Sequence, residues 1–153
     1  MNTTCMKQFI SQFTKQQIVD EKNLRVLGHD HFIVAPELAA ILKRIPLPPI
    51  HQGRYLGRFA EKTSQPSLDL LNMLAKTDAK KVWLNPHGAW MFICRRPALK
   101  KSIIKTTAQP GDMVLILNAY DECLGYGLYD GKDVKNYYDI GDFLRRERRA
   151  KRT

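Results

Sequence analysis

The chain has 153 residues, 44% of them apolar, and carries 25 Lys and Arg against 15 Asp and Glu for a formal charge of +10. That length allows one ordinary domain or two small ones, and the apolar fraction supplies a genuine core, which excludes a disordered or fibrous chain. No apolar run approaches the roughly 18 residues of a spanning helix, and Met1 to Gln17 lack the continuous apolar stretch of a signal peptide, so the expected location is cytoplasmic and no membrane partner is expected.

In chain order, Phe9, Ile10 and Phe13 recur at helical spacing and predict a first helix before Asp20. Leu24 to Leu27 and His31 to Ala35 are short apolar-rich runs flanking Gly28-His29-Asp30, the pattern of a hairpin. Pro36 suits the first turn of a helix, and Leu38, Ile41, Leu42 and Ile45 form an apolar stripe that Pro46 ends. Pro48-Pro49 predicts a stiff extended connector, Tyr55 to Ala60 a strand, and Ser67 the cap of a helix with Leu68, Leu71 and Leu74 on one face.

The second half is richer in strands. Lys81 to Leu84 predicts a strand, and Pro86-His87-Gly88-Ala89 starts a short helix carrying Trp90, Met91 and Ile93. Pro110-Gly111-Asp112 has proline and glycine where a type II turn needs them, launching the buried strand Met113 to Leu117. Asn118 to Glu122 is turn material, and Cys123 to Tyr129 is the return strand. Asp139 is the expected N-cap of a last helix that begins Ile140-Gly141-Asp142 and runs into the end of the chain. The fold class expected is α+β, with a first domain over 1–78 and a second over 79–153.

Charge is uneven along the chain. Residues 1–79 hold ten cations and seven anions, a net of +3, whereas residues 80–153 hold fifteen and eight, a net of +7. Arg95, Arg96, Lys100, Lys101 and Lys105 form an acid-free cluster, and Arg145, Arg146, Arg148, Arg149, Lys151 and Arg152 crowd the terminus. On a helix Arg145, Arg149 and Arg152 share a face. Neutralising phosphates releases condensed counterions, the largest sequence-independent term in nucleic-acid binding, so two concentrated basic segments point to RNA. The competing reading of the terminus is a solvated, disordered basic tail. Tyr126, Tyr129, Tyr137 and Tyr138 are candidate stacking platforms for unpaired bases, with core packing as the alternative.

Other signals are weaker. Gly125-Tyr126-Gly127 is a fragment of a dinucleotide fingerprint lying in a strand pattern, where glycine serves close backbone packing. His29 and His31, with His51 and Asp30, lack the complementary ligands of a metal site. Cys94 and His87 have no orienting third group, so no catalytic residue, cofactor or metal is expected. Cys5, Cys94 and Cys123, odd in number and far apart, read as free thiols.

Four segments, Lys81-Val82-Trp83-Leu84, His87-Gly88-Ala89-Trp90, Pro110-Gly111-Asp112-Met113-Val114 and Leu124-Gly125-Tyr126-Gly127, together resemble the PUA domain, an RNA-binding module. The ending Asp139-Ile140-Gly141-Asp142-Phe143-Leu144-Arg145-Arg146-Glu147 resembles the closing helix of PUA-bearing large-ribosomal-subunit biogenesis proteins. Phe32-Ile33-Val34-Ala35-Pro36-Glu37, Leu56-Gly57-Arg58-Phe59 and Leu70-Leu71-Asn72-Met73-Leu74-Ala75 resemble that family's amino-terminal α/β domain. The resemblance implies a monomeric, non-enzymatic factor that binds pre-ribosomal RNA, with a preference for single-stranded uridine-rich sequence. It further implies contacts with other assembly or exosome proteins, and a nucleolar location in a eukaryote. It places RNA contacts on Arg145, Arg146, Arg149 and Arg152. The alternative it leaves is a PUA-bearing accessory subunit of an RNA-modifying enzyme such as archaeosine tRNA-guanine transglycosylase. Where the family commonly has glycine after the first PUA helix, this chain has Cys94-Arg95-Arg96-Pro97, so a left-handed cap retained there would cost about 1 kcal/mol. The path from Cys94 to Lys105 is left open by the sequence.

Overall fold

A computed structural model describes residues 3–142, Leu144 and Arg145. Contacts divide the chain after Thr77 into two units, each with its own sheet. Four α-helices and nine strands are found among the described residues, so the mixed helix and sheet content expected from the pattern is present. None of these helices is long and apolar enough to cross a membrane.

In the first unit, helix α1 (Thr4–Ser11) precedes a 3-10 turn at Glu21–Asn23 and an antiparallel sheet in the order β1 (Leu24–Leu27), β2 (Asp30–Ile33), β3 (Arg54–Ala60) and β4 (Thr63–Pro66). The expected hairpin closes through Gly28-His29, with Leu27 paired to Asp30, so β2 starts one residue before His31. Helices α1 and α3 (Leu68–Ala75) both pack on β3. Phe9 meets Phe59 at 5.4 Å between ring centroids, and Met6, Leu56 and Leu74 are fully enclosed. Ser67 caps α3 as its position predicts, its Oγ accepting the Leu70 N–H at 3.1 Å.

Two expectations need correction here, and one strand was not foreseen. Helix α2 (Pro36–Leu42) stops before Ile45, and the stripe Leu38, Ile41, Leu42 and Ile45 covers no core: no residue of α2 is buried, and Ile41 and Ile45 lie exposed. The periodicity correctly marks an apolar face, but α1 and α3 have already filled β3, and periodicity specifies no partner. On α3, Leu70 rather than Leu68 turns inward with Leu71 and Leu74. Strand β4 was not anticipated, because Thr63-Ser64-Gln65-Pro66 reads as loop. At a sheet edge it needs pairing on one side only, so its proline is tolerated.

The second unit is a mixed five-stranded sheet in the order β6 (Ile103–Thr106), β5 (Lys81–Leu84), β7 (Met113–Leu117), β8 (Cys123–Tyr129), β9 (Val134–Asp139), with only the β5–β7 pair parallel. Helix α4 (Pro86–Ile93) follows β5, and a 3-10 turn at Lys100–Ser102 leads into β6. The core gathers Val82, Leu84, Phe92, Val114, Ile116 and Val134. Within α4 the anchor is Phe92, whereas Trp90 is exposed. Gln109 accepts the Asp112 N–H at 3.1 Å across Pro110-Gly111, the expected turn into β7. A Cβ on Gly125 would sit 2.0 Å from the Tyr138 carbonyl and one on Gly127 2.0 Å from that of Lys135, so these glycines let β8 and β9 close together. The edge strands β6 and β9 were not read from sequence. Val134-Lys135-Asn136-Tyr137-Tyr138-Asp139 breaks strict alternation, and the pairing of β8 with β9 shifts register at Tyr126/Gly127.

Candidate nucleic-acid interface

Asn85 opens α4 by accepting the Gly88 N–H at 2.8 Å, with Pro86 in the first turn where its missing donor costs nothing. Gly88 is required by packing: a Cβ there would lie 2.4 Å from Ser102 Cβ. Its absence lets α4 lie directly against the Lys100–Ser102 turn, which the pairing of Leu84 with Ile103 carries alongside. Between them runs a groove of about 210 Å³ whose walls include His87, Met91, Arg96, Pro97, Leu99 and Lys101, with no carboxylate.

The far end of α4 sets the cations. Arg95 N–H donates to the Phe92 carbonyl at 2.9 Å and Arg96 N–H to the Met91 carbonyl at 3.1 Å, the two bonds of a left-handed helix end, and Arg95 adopts φ 69. The glycine-type cap is therefore retained on an arginine, with its strain of about 1 kcal/mol. Arg95→Gly should accordingly raise stability by about 0.5–1 kcal/mol, checked by urea unfolding, while removing one cation from the groove's rim. Asn136 Nδ2 donates to the Phe92 carbonyl at 2.8 Å, and Arg145 Nη1 donates to the Ile93 carbonyl at 3.2 Å, satisfying the helix end. Asp139 Oδ1 accepts the Gly141 N–H at 2.9 Å and also takes Arg145 Nη1 at 3.1 Å. Asp139 ends β9, however, and is not the expected N-cap: the Gly141 carbonyl, two residues on, accepts the Arg145 N–H at 3.2 Å, and most of the expected last helix lies outside the described residues.

Of the ten basic residues nominated from sequence, Arg95, Arg96, Lys100 and Lys101 are exposed at this end of α4 and the adjoining turn. Only Arg96 and Lys101 line the groove. Arg145 is held inward by Asp139 and Ile93, with its side chain 30% exposed, so it acts as a clamp on the fold. Arg146, Arg148, Arg149, Lys151 and Arg152 lie outside the described residues. Lys105, the fifth cation of the cluster, sits 4.2 Å above the Trp83 ring, whose Nε1 donates to Asp121 Oδ1 at 2.6 Å.

The tyrosines divide. Tyr126 is buried and stacked on Tyr138 at 6.0 Å, and burial pushes its hydroxyl up to about 12, so it is core and no platform for a base. Tyr129 packs against the core, and its hydroxyl donates to the Gly131 carbonyl. Tyr137 is exposed, with Lys135 Nζ 5.5 Å from its ring centre. The most open aromatics of this unit, Trp90 and Tyr120, were not nominated as stacking residues. Nor were His87, Met91 and Leu99, because only the tertiary fold brings α4 to the 3-10 turn.

No match was found among proteins of curated function. Among solved structures the chain is similar to a conserved PUA domain protein from Thermoplasma acidophilum, at 14% identity and a TM-score of 0.58 over 96% of each chain, a likeness of fold. Residues 80–148 match the family described as "UPF0113 PUA domain", so the chain carries a PUA domain in its second unit.

Proposed function

We propose that this protein is a non-enzymatic RNA-binding factor of ribosome assembly. In this reading it grips pre-ribosomal RNA, preferentially single-stranded, through the groove at the end of α4. PUA domains are generally RNA-binding. The observation that carries the reading is the carboxylate-free groove bounded by His87, Arg96 and Lys101, with Arg95 held beside it in a strained left-handed conformation. A residue that keeps a cation at a position suited to glycine sacrifices stability, and such outliers cluster where a side chain has work to do. Met91, Pro97 and Leu99 give the groove an apolar lining against which an unstacked base can rest, while Arg96 and Lys101 neutralise phosphates. The basic residues from Arg146 to Arg152 extend the same electrostatic grip.

The assembly role is tested by isolating the tagged protein from cells with and without RNase. Recovery of pre-ribosomal particles that is lost on RNase treatment is the expected result. A stoichiometric, RNase-resistant complex with an RNA-modifying enzyme, without pre-ribosomal RNA, would overturn it in favour of an accessory subunit.

A further inference from the structure

The first unit has a basic concavity of its own. Lys22 and Arg25, at the entry to β1, face Lys43 and Arg44, at the exit from α2, across an open hollow of about 700 Å³ whose only acid is Asp20. That carboxylate is already engaged, accepting the Lys22 N–H at 3.0 Å to cap the 3-10 turn. Two other cations of the unit do have carboxylate partners, Lys7 with Glu21 and Arg54 with Asp69 at 3.1 Å. Among the described residues the four cations of the hollow form no ion pair.

Arg25 is pre-positioned. Its Nη1 donates to the carbonyls of Lys22 at 2.9 Å and Leu24 at 2.8 Å, which fixes the guanidinium plane and leaves its other nitrogens for a ligand. Ala39 and Ala40 keep the α2 wall low and open between the two charged ends. Gathering four like charges around a hollow raises the energy of the empty protein, and a bound polyanion relieves it. An open hollow ringed by four cations, with alanines on one wall, suits the successive charges of a phosphodiester backbone, since a compact anion would be served by one arginine fork.

We infer that this hollow is a second contact surface for the same RNA strand, giving the first unit a binding role of its own. The inference rests on the proposed RNA-binding function and extends it to a site in the other unit. Two contacts on one strand add affinity only when the strand is long enough to reach both.

The test uses the full chain and single-stranded uridine-rich RNAs of increasing length. It compares the wild type with Lys22→Ala/Lys43→Ala/Arg44→Ala and with Arg96→Ala/Lys101→Ala, leaving Arg25 in place because it braces the backbone. With short RNA the triple variant should match the wild type. With long RNA it should lose roughly 10–100-fold near 0.1 M salt, and the slope of log K against log salt should become shallower by about 2. Long-RNA binding at wild-type strength and slope by the triple variant, alongside a loss in the double variant, would overturn this inference and leave the proposed function standing. A wild type that binds no RNA of any length would bring down both. Unchanged RNA binding together with loss of an acidic protein partner would assign the hollow to that protein instead.

Discussion

Asp139→Ala is expected to destabilise the second unit by about 3 kcal/mol, the largest effect of any single polar substitution in it. The residue is 3% exposed, and its carboxylate accepts Gly141 N–H at 2.9 Å, Asn136 Nδ2 at 3.1 Å and Arg145 Nη1 at 3.1 Å. Hydrogen bonds to a charged group contribute about 1.5–3 kcal/mol each, and breaking a buried pair costs about 3–5 kcal/mol. The lower end applies here because Arg145 reaches solvent and Asn136 keeps the Phe92 carbonyl. Asp139→Asn preserves the acceptor for Gly141 and should cost about half as much. Arg145→Ala should cost about 1–2 kcal/mol, since Asp139 retains its other two donors. Urea unfolding followed by tryptophan fluorescence measures all three. An Asp139→Ala protein within 0.5 kcal/mol of the wild type would show that this cluster does not fasten the end of α4. The same reasoning warns against grouping Arg145 with Arg146, Arg149 and Arg152 in a binding variant, because its removal mixes a folding effect with an affinity effect.

What the sequence disclosed, and what it withheld, divides by the range of the physics. Ser67, Pro86 and Pro110-Gly111 act on their own neighbours, so the starts of α3 and α4 and the turn into β7 were legible. The continuous run Met113 to Leu117 could hardly be anything but a buried strand. Strands β4, β6 and β9 lie at or beside sheet edges, where pairing partners decide the conformation and the local pattern is too short or too irregular to announce it. The site shows the same division. Charge clustering singled out Arg95, Arg96, Lys100 and Lys101 as candidates, because a basic segment is a property of the chain itself. The groove depends on Gly88 admitting Ser102, and no local signal pairs those two residues. Arg145 follows the same rule: helical spacing groups it with Arg149 and Arg152, and only the fold gives it Asp139 and a carbonyl at the end of α4 as partners.

Neutralising the cluster, Arg95→Ala/Arg96→Ala/Lys100→Ala/Lys101→Ala, should produce the largest functional effect. If each cation meets one phosphate of a single strand, the slope of log K against log salt falls by about 2.8, and affinity near 0.1 M salt drops several-hundred-fold, roughly. All four residues are exposed, and exposed substitutions move stability by about 0.5 kcal/mol or less, so the unfolding midpoint should barely change. Alanine at position 95 keeps the left-handed strain that glycine would relieve, so Arg95→Ala and Arg95→Gly should bind RNA equally weakly yet differ in stability by about 1 kcal/mol. That comparison separates the cation from the backbone it sits on. A parallel variant with Arg146, Arg148, Arg149, Lys151 and Arg152 replaced by alanine, leaving Arg145 intact, measures the terminus by the same salt slope. If only the terminal variant lost affinity, the groove would be a feature of packing and the phosphate contacts would belong to the end of the chain. Equal losses in both, with slopes that add, would mean that one strand crosses both surfaces at once.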